Sequence, residues 1–547
     1  VRVILVSLVW LILSGAARAQ PNLIVIMSDD QGTNAVSAYG PGIGGVVSTP
    51  NIDRIASEGV LFVNAFGVDQ TCAPNRATLL TGKYGHRNGV MRNGDRLDAA
   101  QTTVADVLKA AGYRTVIIGK WHLVTAPRNL GFDDWSIFVE DNPPYANPRF
   151  DRYGELAAPA GYVTDLITAE ATAWLDENRA EPGPFALFLM HKAPHSPFVP
   201  AARHESLYPD DLPRPETFDD RWLGRAPPAQ LPSRRLVPDL MTIWLGEAFQ
   251  SLGKALLPGG LSAEQEEDWI YQQQAKDYLR TLAALDESVG EVLAYLDAHH
   301  DERGLLASNT AVIYTSDNGN LVGEHFSWGK SRPYEEALRV PLLLRAPGVA
   351  SGVVVSQTVL NTDTAPTLLD LAGVAIPGDM QGRSVLELLS GPPPPDWRTG
   401  FYFNHYEWGV GRVVPYFGIR TPRYKLIRHY GREWGGAPAW ELIDLETDPG
   451  ERTNVYDDPQ YAGVAHALKW EVVMSQMSLD IRRAVVACPG DLNGDGFVGT
   501  SDLPLVQACR GSLAEGACEA ADFDGDGIVT TRDWGLFGQT YGRSCNP

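Results

Sequence analysis

The sequence predicts an α/β fold, a parallel or mixed sheet covered by helices on both faces. Three observations carry this. Four short runs, NLIVIM (22–27), RTVIIG (114–119), FALFLM (185–190) and TAVIYTS (310–316), have the length and β-branched or aromatic content of buried strands. Helical patterns lie between them: TTVADVLKAAG, with a Thr start and a Gly112 stop, and QQQAKDYLRTLAALDESVGEVLAYLDAHH, apolar at helical spacing over many turns. Each strand run also ends in polar residues: Ser28-Asp29-Asp30, Lys120-Trp121-His122, HKAPHSPF and Asp317-Asn318-Gly319. Ligands of such sheets bind beyond the carboxyl ends of the strands, so the four clusters are expected to share one site.

Along the chain, VRVILVSLVWLILSGAARAQ has a positive charge near its start, an apolar run from Val3 to Leu13, and small residues at Ala17 and Ala19. This is the layout of a secretory signal peptide, residues 1–19, with cleavage expected after Ala19. The run is too short for a membrane anchor, and no other stretch offers about 18 uninterrupted apolar residues, so a soluble secreted or periplasmic chain without a membrane span is expected. Losing Arg2 and Arg18 moves the formal charge from −22 to −24. That excess repels nucleic acid, and an anionic ligand would need a local positive pocket. The 547 residues allow a large catalytic domain, expected over 20–375, with one or two smaller units.

The strand-end clusters have complementary chemistry. Asp29, Asp30, Asp317 and Asn318 are hard oxygen donors suited to calcium or magnesium. Asp29-Asp30 alone fits a helix N-cap equally well. Of the 5 cysteines, Cys72 stands apart from the rest; an exported chain must bury, pair or use such a thiol. Pro74 suits the first turn of a helix, which places residue 72 at a positive helix N-terminus with Arg76 one turn in. Lys120 and His122, two apart on an extended segment, point the same way. Singly, they read as a surface lysine or a core histidine.

CAPNR (72–76) followed by ATLLTG matches C-x-P-x-R with L-T-G a few residues on, and roughly residues 21 to 455 resemble the formylglycine-dependent (type I) sulfatase family. NLIVIMSDDQG, STPNIDRIASEGVLFVNAF, GKWHL, KAPHSPF, TSDNGNLVGEH, WGKSRPYEE and LRVPLLLRAPG occur in the family's order. The resemblance implies an alkaline-phosphatase-like mixed sheet sandwiched by helices. It implies that a formylglycine-generating enzyme oxidises Cys72 to Cα-formylglycine, whose hydrated aldehyde is the nucleophile. One hydroxyl attacks sulfur and expels the alcohol; the second loses its proton as sulfate departs and the aldehyde returns. Asp29, Asp30, Asp317 and Asn318 would hold the cation, and Arg76 the hydrate and the metal ligands. Lys120 would bind sulfate and His122 steady the hydroxyls. His195 and Lys330 would contact sulfate and the leaving oxygen, one of them protonating it. His325 and His86 are weaker candidates. Asn75 departs from the family, which usually has a small residue there.

Residues 376–484 change texture. SGPPPPDWRTG is linker-like, and FYFNHYEWG, YFGIRTPRYKLIRHYG and AWELIDLETDPGERTNVY predict a small antiparallel sheet with a helix near AGVAHALKWEVVMSQM. These segments resemble bacterial N-acetylglucosamine-6-sulfatases or mucin-desulfating enzymes, which implies a sulfated glycosaminoglycan or mucin glycan as substrate. His405, Tyr406, Glu407 and Arg420 are candidates to bind sugar hydroxyls, or equally the polar surface of a sheet. Arylsulfatase, iduronate-sulfatase and choline-sulfatase activities stay open. So do a phosphonate or phosphate monoester hydrolase and a non-catalytic carbohydrate-binding scaffold.

Residues 488–547 hold a repeat, DLNGDGFVGTSD (491–502) and DFDGDGIVTTRD (522–533). Asp491, Asn493, Asp495 and Asp502, then Asp522, Asp524, Asp526 and Asp533, fall at positions 1, 3, 5 and 12 of a calcium loop with glycine at 6. The pair resembles a dockerin, which implies a cohesin-like or cell-surface partner read near Thr500-Ser501 and Thr531-Arg532. Cys488 and Cys509 bracket the first loop, and Cys518 and Cys545 the second, and these pairings are expected.

Overall fold

The structure is a computed structural model describing residues 20–231, 252, 254–407, 413–430, 439–479, 481 and 507. The expected signal peptide (1–19) and, residue 507 apart, the calcium-loop module with its four cysteines (488–547) lie outside the described residues.

The four strand-like runs form β1 (Asn22–Ser28), β3 (Arg114–Gly119), β7 (Phe185–Met190) and β8 (Thr310–Ser316). They join β2 (Val60–Phe62), β4 (Asp134–Phe138), β5 (Phe150–Arg152), β6 (Glu155–Ala157), β9 (Leu342–Arg345) and β10 (Val353–Val355). The sheet order is β10-β2-β9-β8-β1-β7-β3-β4-β5-β6. The central run β8-β1-β7-β3-β4 is parallel. β9 is antiparallel to both neighbours, and β5–β6 is an antiparallel hairpin. The sheet is mixed.

Alternation along β1 explains the two helical layers. Ile24 and Ile26 face a cluster fed by α1 (Pro50–Ser57), α4 (Val163–Asn178) and α5 (Ala263–Ala298). Leu23, Val25 and Met27 face one fed by α2 (Cys72–Thr81), α3 (Val104–Ala110) and α6 (Thr364–Leu371). Each such side chain contributes about 1.5–3 kcal/mol by leaving water. Thr103 starts α3 with a capping box to Asp106, and Ser262 starts α5 likewise with Gln265.

The C-terminal region folds as an antiparallel sheet, β11 (Phe401–His405), β12 (Tyr416–Arg420), β13 (Tyr424–His429) and β14 (Ala439–Asp444), with α7 (Ala462–Ser478) against it. Its β11 leans on the segment before α2: Asn404 N–H donates to Val68 O at 3.0 Å, and its Nδ2 to Asp69 Oδ2 at 3.2 Å. Among the described residues no helix is long and apolar enough to cross a membrane.

Candidate active site

The register of β8, β1, β7 and β3 puts their carboxyl ends side by side: Ser28 pairs with Ser316, Met27 with Met190, and Gly119 with Met190. Gly119, at φ +104°, lets β3 and β7 close up, since a Cβ there would lie 2.0 Å from Met190 O. Lys120 N–H then donates to that carbonyl at 2.7 Å. Asp29, Lys120 and Asp317 all emerge at this edge and are buried.

Asp29, Asp30 and Asp317 bring carboxylate oxygens within 4.8 Å of one another and of Cys72 Sγ. Asn318 Nδ2 donates to Asp30 Oδ1 at 3.2 Å. Burial favours the protonated form of Asp29, but Lys120, Arg76 and Lys330 outweigh it and hold the carboxyl below the usual range. Asp30 goes the other way: burial, aided by the charges of Asp29 and Asp317, raises it to about 6 against Lys330. The three crowded, buried carboxylates supply oxygen donors that fit a hard divalent cation, while the Asn318 amide turns Nδ2 toward Asp30 and Cys72 and its Oδ1 toward Asn75.

Cys72 opens α2 and is buried. Lys330 Nζ lies 2.6 Å from its Sγ and Lys120 Nζ 3.7 Å; Asn318 Nδ2 is also at 3.7 Å. The same two ammonium groups pair with Asp30 and Asp29 respectively. Arg76 donates through Nε and Nη2 to Asp317 Oδ2 at 3.1 and 2.9 Å, and through Nη1 to Lys120 O at 2.8 Å. Burial nevertheless pushes the Cys72 thiol up to about 12, against the pull of the lysines. As a thiol it is therefore a poor nucleophile.

His195 Nε2 stands 3.5 Å from Asp30 Oδ2, and its Nδ1 donates to Ser196 O at 2.7 Å. Burial and the charges of Lys120, Lys330 and Lys192 hold its imidazole well below the usual pKa. Tyr145 OH donates to His195 O at 2.6 Å, and Lys192 Nζ, 4.8 Å above the Tyr145 ring, donates to Ser196 O at 3.3 Å. Burial, then Lys120, drops Lys192 to about 7. His122, at φ +55°, has a buried Nδ1 without a partner among the described residues, and burial with Lys120 and Arg76 lowers the imidazole to about 3.

His405 is fully buried in the C-terminal sheet, its Nδ1 3.1 Å from Thr71 Oγ1, and the half-buried Glu407 accepts through Oε2 from Asn93 N at 3.5 Å. Arg420 is engaged elsewhere, paired with Glu335 at 3.0 Å and lying over the Phe66 ring. His86 bonds Leu479 O at 2.8 Å, and His325 sits between Asp220 and Glu336.

Sequence reasoning did not single out Lys192, Tyr145 or Asn93, whose Oδ1 accepts the Ala73 N–H at the start of α2 at 3.1 Å. Lys192 was legible only as a neighbour of His195 in HKAPHSPF.

A family model described as sulfatase matches residues 21–374, more than half the chain. The chain belongs to the sulfatase family. Its class is thus sulfuric ester hydrolase, and a second model, the C-terminal part of N-sulphoglucosamine sulphohydrolase, matches residues 323–478 of this sulfatase. The sulfatase is 35% identical to an N-acetylglucosamine-6-O-sulfatase of Bacteroides thetaiotaomicron, over 81% of this chain and 84% of that one. It is 27% identical to an ulvan-active sulfatase of Formosa agariphila, over 82% and 80%. A solved structure described as in complex with its substrate D-glucosamine-2-N,6-O-disulfate superposes with a TM-score of 0.78 at 34% identity, covering 84% of this sulfatase and 98% of that chain. A phosphonate monoester hydrolase of Agrobacterium radiobacter shares the fold, with a TM-score of 0.64 at 22% identity, over 84% and 96%.

Proposed function

We propose that this sulfatase is a secreted or periplasmic enzyme that hydrolyses 6-O-sulfate esters of glucosamine residues in glycans, using residue 72 as its nucleophile after conversion to Cα-formylglycine. The observation that carries the chemistry is the placement of Cys72 at a helix start, ringed by Lys330, Lys120 and Asn318. Cations so placed neutralise a sulfate monoester, while a thiol pushed up to about 12 is unfit to attack it. Two similarities support the substrate class: the N-acetylglucosamine-6-O-sulfatase relative and the structure described with a 6-O-sulfated glucosamine.

Asp29, Asp30, Asp317 and Asn318 would hold calcium or magnesium, which supplies polarisation of a sulfate oxygen and of the attacking hydroxyl. Formylglycine supplies a geminal diol, one hydroxyl to attack and one to regenerate the aldehyde. Lys120 and Lys330 bind the sulfate oxygens, and Arg76 fixes Asp317 and the Lys120 backbone relative to residue 72. His122 steadies the diol. Lys330, or His195 once the charge of a bound sulfate favours its imidazolium, delivers the proton to the leaving oxygen. Glu407 serves the sugar side; His405, fully buried, backs Thr71 beside residue 72, and Arg420 is committed to Glu335. The C-terminal repeat supports a dockerin-like module binding two calcium ions and a cohesin-like or cell-surface partner.

The test is the mass of the peptide spanning Cys72 after expression with a formylglycine-generating enzyme, paired with turnover of 6-O-sulfated N-acetylglucosamine. Conversion with sulfate release is expected. An intact thiol in active protein, or faster hydrolysis of 4-nitrophenyl phosphate than of the sulfate, overturns the proposal.

A further inference from the structure

Asn75 sits inside α2 between Pro74 and Arg76 and is fully buried. Its Nδ2 donates to Asp317 O at 2.6 Å, Asp69 O at 2.7 Å and Asn318 Oδ1 at 3.0 Å. Two N–H bonds serve three acceptors, so one is shared. Its Oδ1 accepts from Asn361 Nδ2 at 2.7 Å and from Asp69 N at 3.4 Å. Asn361 is held in turn, its Oδ1 accepting the Val68 N–H at 3.2 Å. One amide thus joins the helix that carries residue 72, the segment before it, the end of β8, and the start of the helical turn at 361–363. A serine or alanine is too short to span these partners.

We propose that Asn75 is a positioning residue that locks the metal-binding end of β8 to the nucleophile helix. This rests on the proposed reading of Asp317 as a metal ligand. Asn75 touches neither ester nor ion. It fixes the Asp317 main chain, and Arg76, the next residue, holds the Asp317 carboxylate from the same helix; its bond to Asn318 Oδ1 sets that amide with Nδ2 on Asp30. Main chain, side chain and amide of the pair Asp317-Asn318 are therefore all referenced to α2. A buried polar cluster of this kind holds only when every member is satisfied, so losing the central amide frees several groups at once. Asn361 is the brace behind it, remote in sequence from the CAPNR motif.

The test is calorimetric titration of the full-length protein with Ca2+ and with Mg2+. The step belonging to this site is the one that disappears in Asp317→Asn, which separates it from the C-terminal loops. Asn75→Ala and Asn361→Ala are each expected to weaken that step roughly 10- to 100-fold, the usual effect of removing a group that orients metal ligands. The other steps should not change, and the double variant should be little worse than the worse single. Asn361→Ala keeps the maturation motif intact and carries the test if Asn75→Ala does not fold. A step of unchanged affinity in the folded variants, with only a lower melting temperature, overturns the proposal and leaves the function standing. If Asp317→Asn removes no step, the metal reading fails and this inference with it.

Discussion

Lys330 Nζ lies 2.6 Å from Cys72 Sγ while the same ammonium pairs with Asp30, so one side chain bridges the nucleophile position and the carboxylate cluster. Replacing it with methionine keeps the stem and removes the charge. Turnover of 4-nitrophenyl sulfate by Lys330→Met is expected to fall by about 10²–10³, the scale of losing one preorganised donor to developing charge. Loss below tenfold would remove Lys330 from the proposed machinery.

The leaving oxygen provides a second test. His195→Ala should slow hydrolysis of an alkyl sulfate by roughly 10²–10⁴, because an alkoxide needs a proton as it departs and the negative charge of the bound sulfate favours the imidazolium that would give it. The same variant should be far less impaired on 4-nitrophenyl sulfate, whose phenolate leaves unaided. Tyr145→Phe, which removes the 2.6 Å bond to His195 O, should shift the ratio in the same direction by less. Equal losses on both esters would assign the proton to Lys330.

His325 gives a pH dependence of stability. Burial disfavours its charge, but Glu336 and Asp220 outweigh burial and raise it to about 9. The unfolded value is about 6.5, so the imidazolium's contribution is fully present below that pH and is lost as pH rises through about 9. The contribution is on the order of 3 kcal/mol. Urea melts of the wild type should therefore weaken between about pH 6.5 and 9, and His325→Gln should flatten that slope. A parallel decline in both proteins would contradict the assignment.

Gly119→Ala is expected to destabilise the fold by roughly 2–4 kcal/mol. Both a positive φ and a backbone carbonyl 2.0 Å from the new Cβ oppose it. Activity should fall further than stability accounts for, since Lys120 and the turn to His195 lose their register. Thermal melts and turnover measured together check this.

The site's main chain was legible because buried parallel strands write themselves as continuous apolar runs. RTVIIG, FALFLM and TAVIYTS coincide with β3, β7 and β8 residue for residue. The Thr103 start of α3 was readable for the same local reason. The true start of α5 was not, because its first turns, Ala263 to Trp269, are largely polar and solvent-facing. The hairpin β5–β6 escaped because its three-residue strands carry polar side chains. Asn75 could be noticed as a departure from the family but not interpreted: its brace Asn361 is 286 residues away. Lys192 was equally opaque, since its partner Asn142 lies 50 residues back, in another loop.

The contact between β11 and the segment before α2 sets an order of events. Thr71 meets His405, a residue synthesised 334 positions later, and Asn404 closes on Val68 and Asp69 beside it. Until that strand has left the ribosome, the flank of residue 72 has no wall. In the finished fold Cys72 is only 2% exposed. Any enzyme that rewrites this thiol must therefore reach it while the chain is still open, and the C-terminal sheet acts as the clock that ends its opportunity.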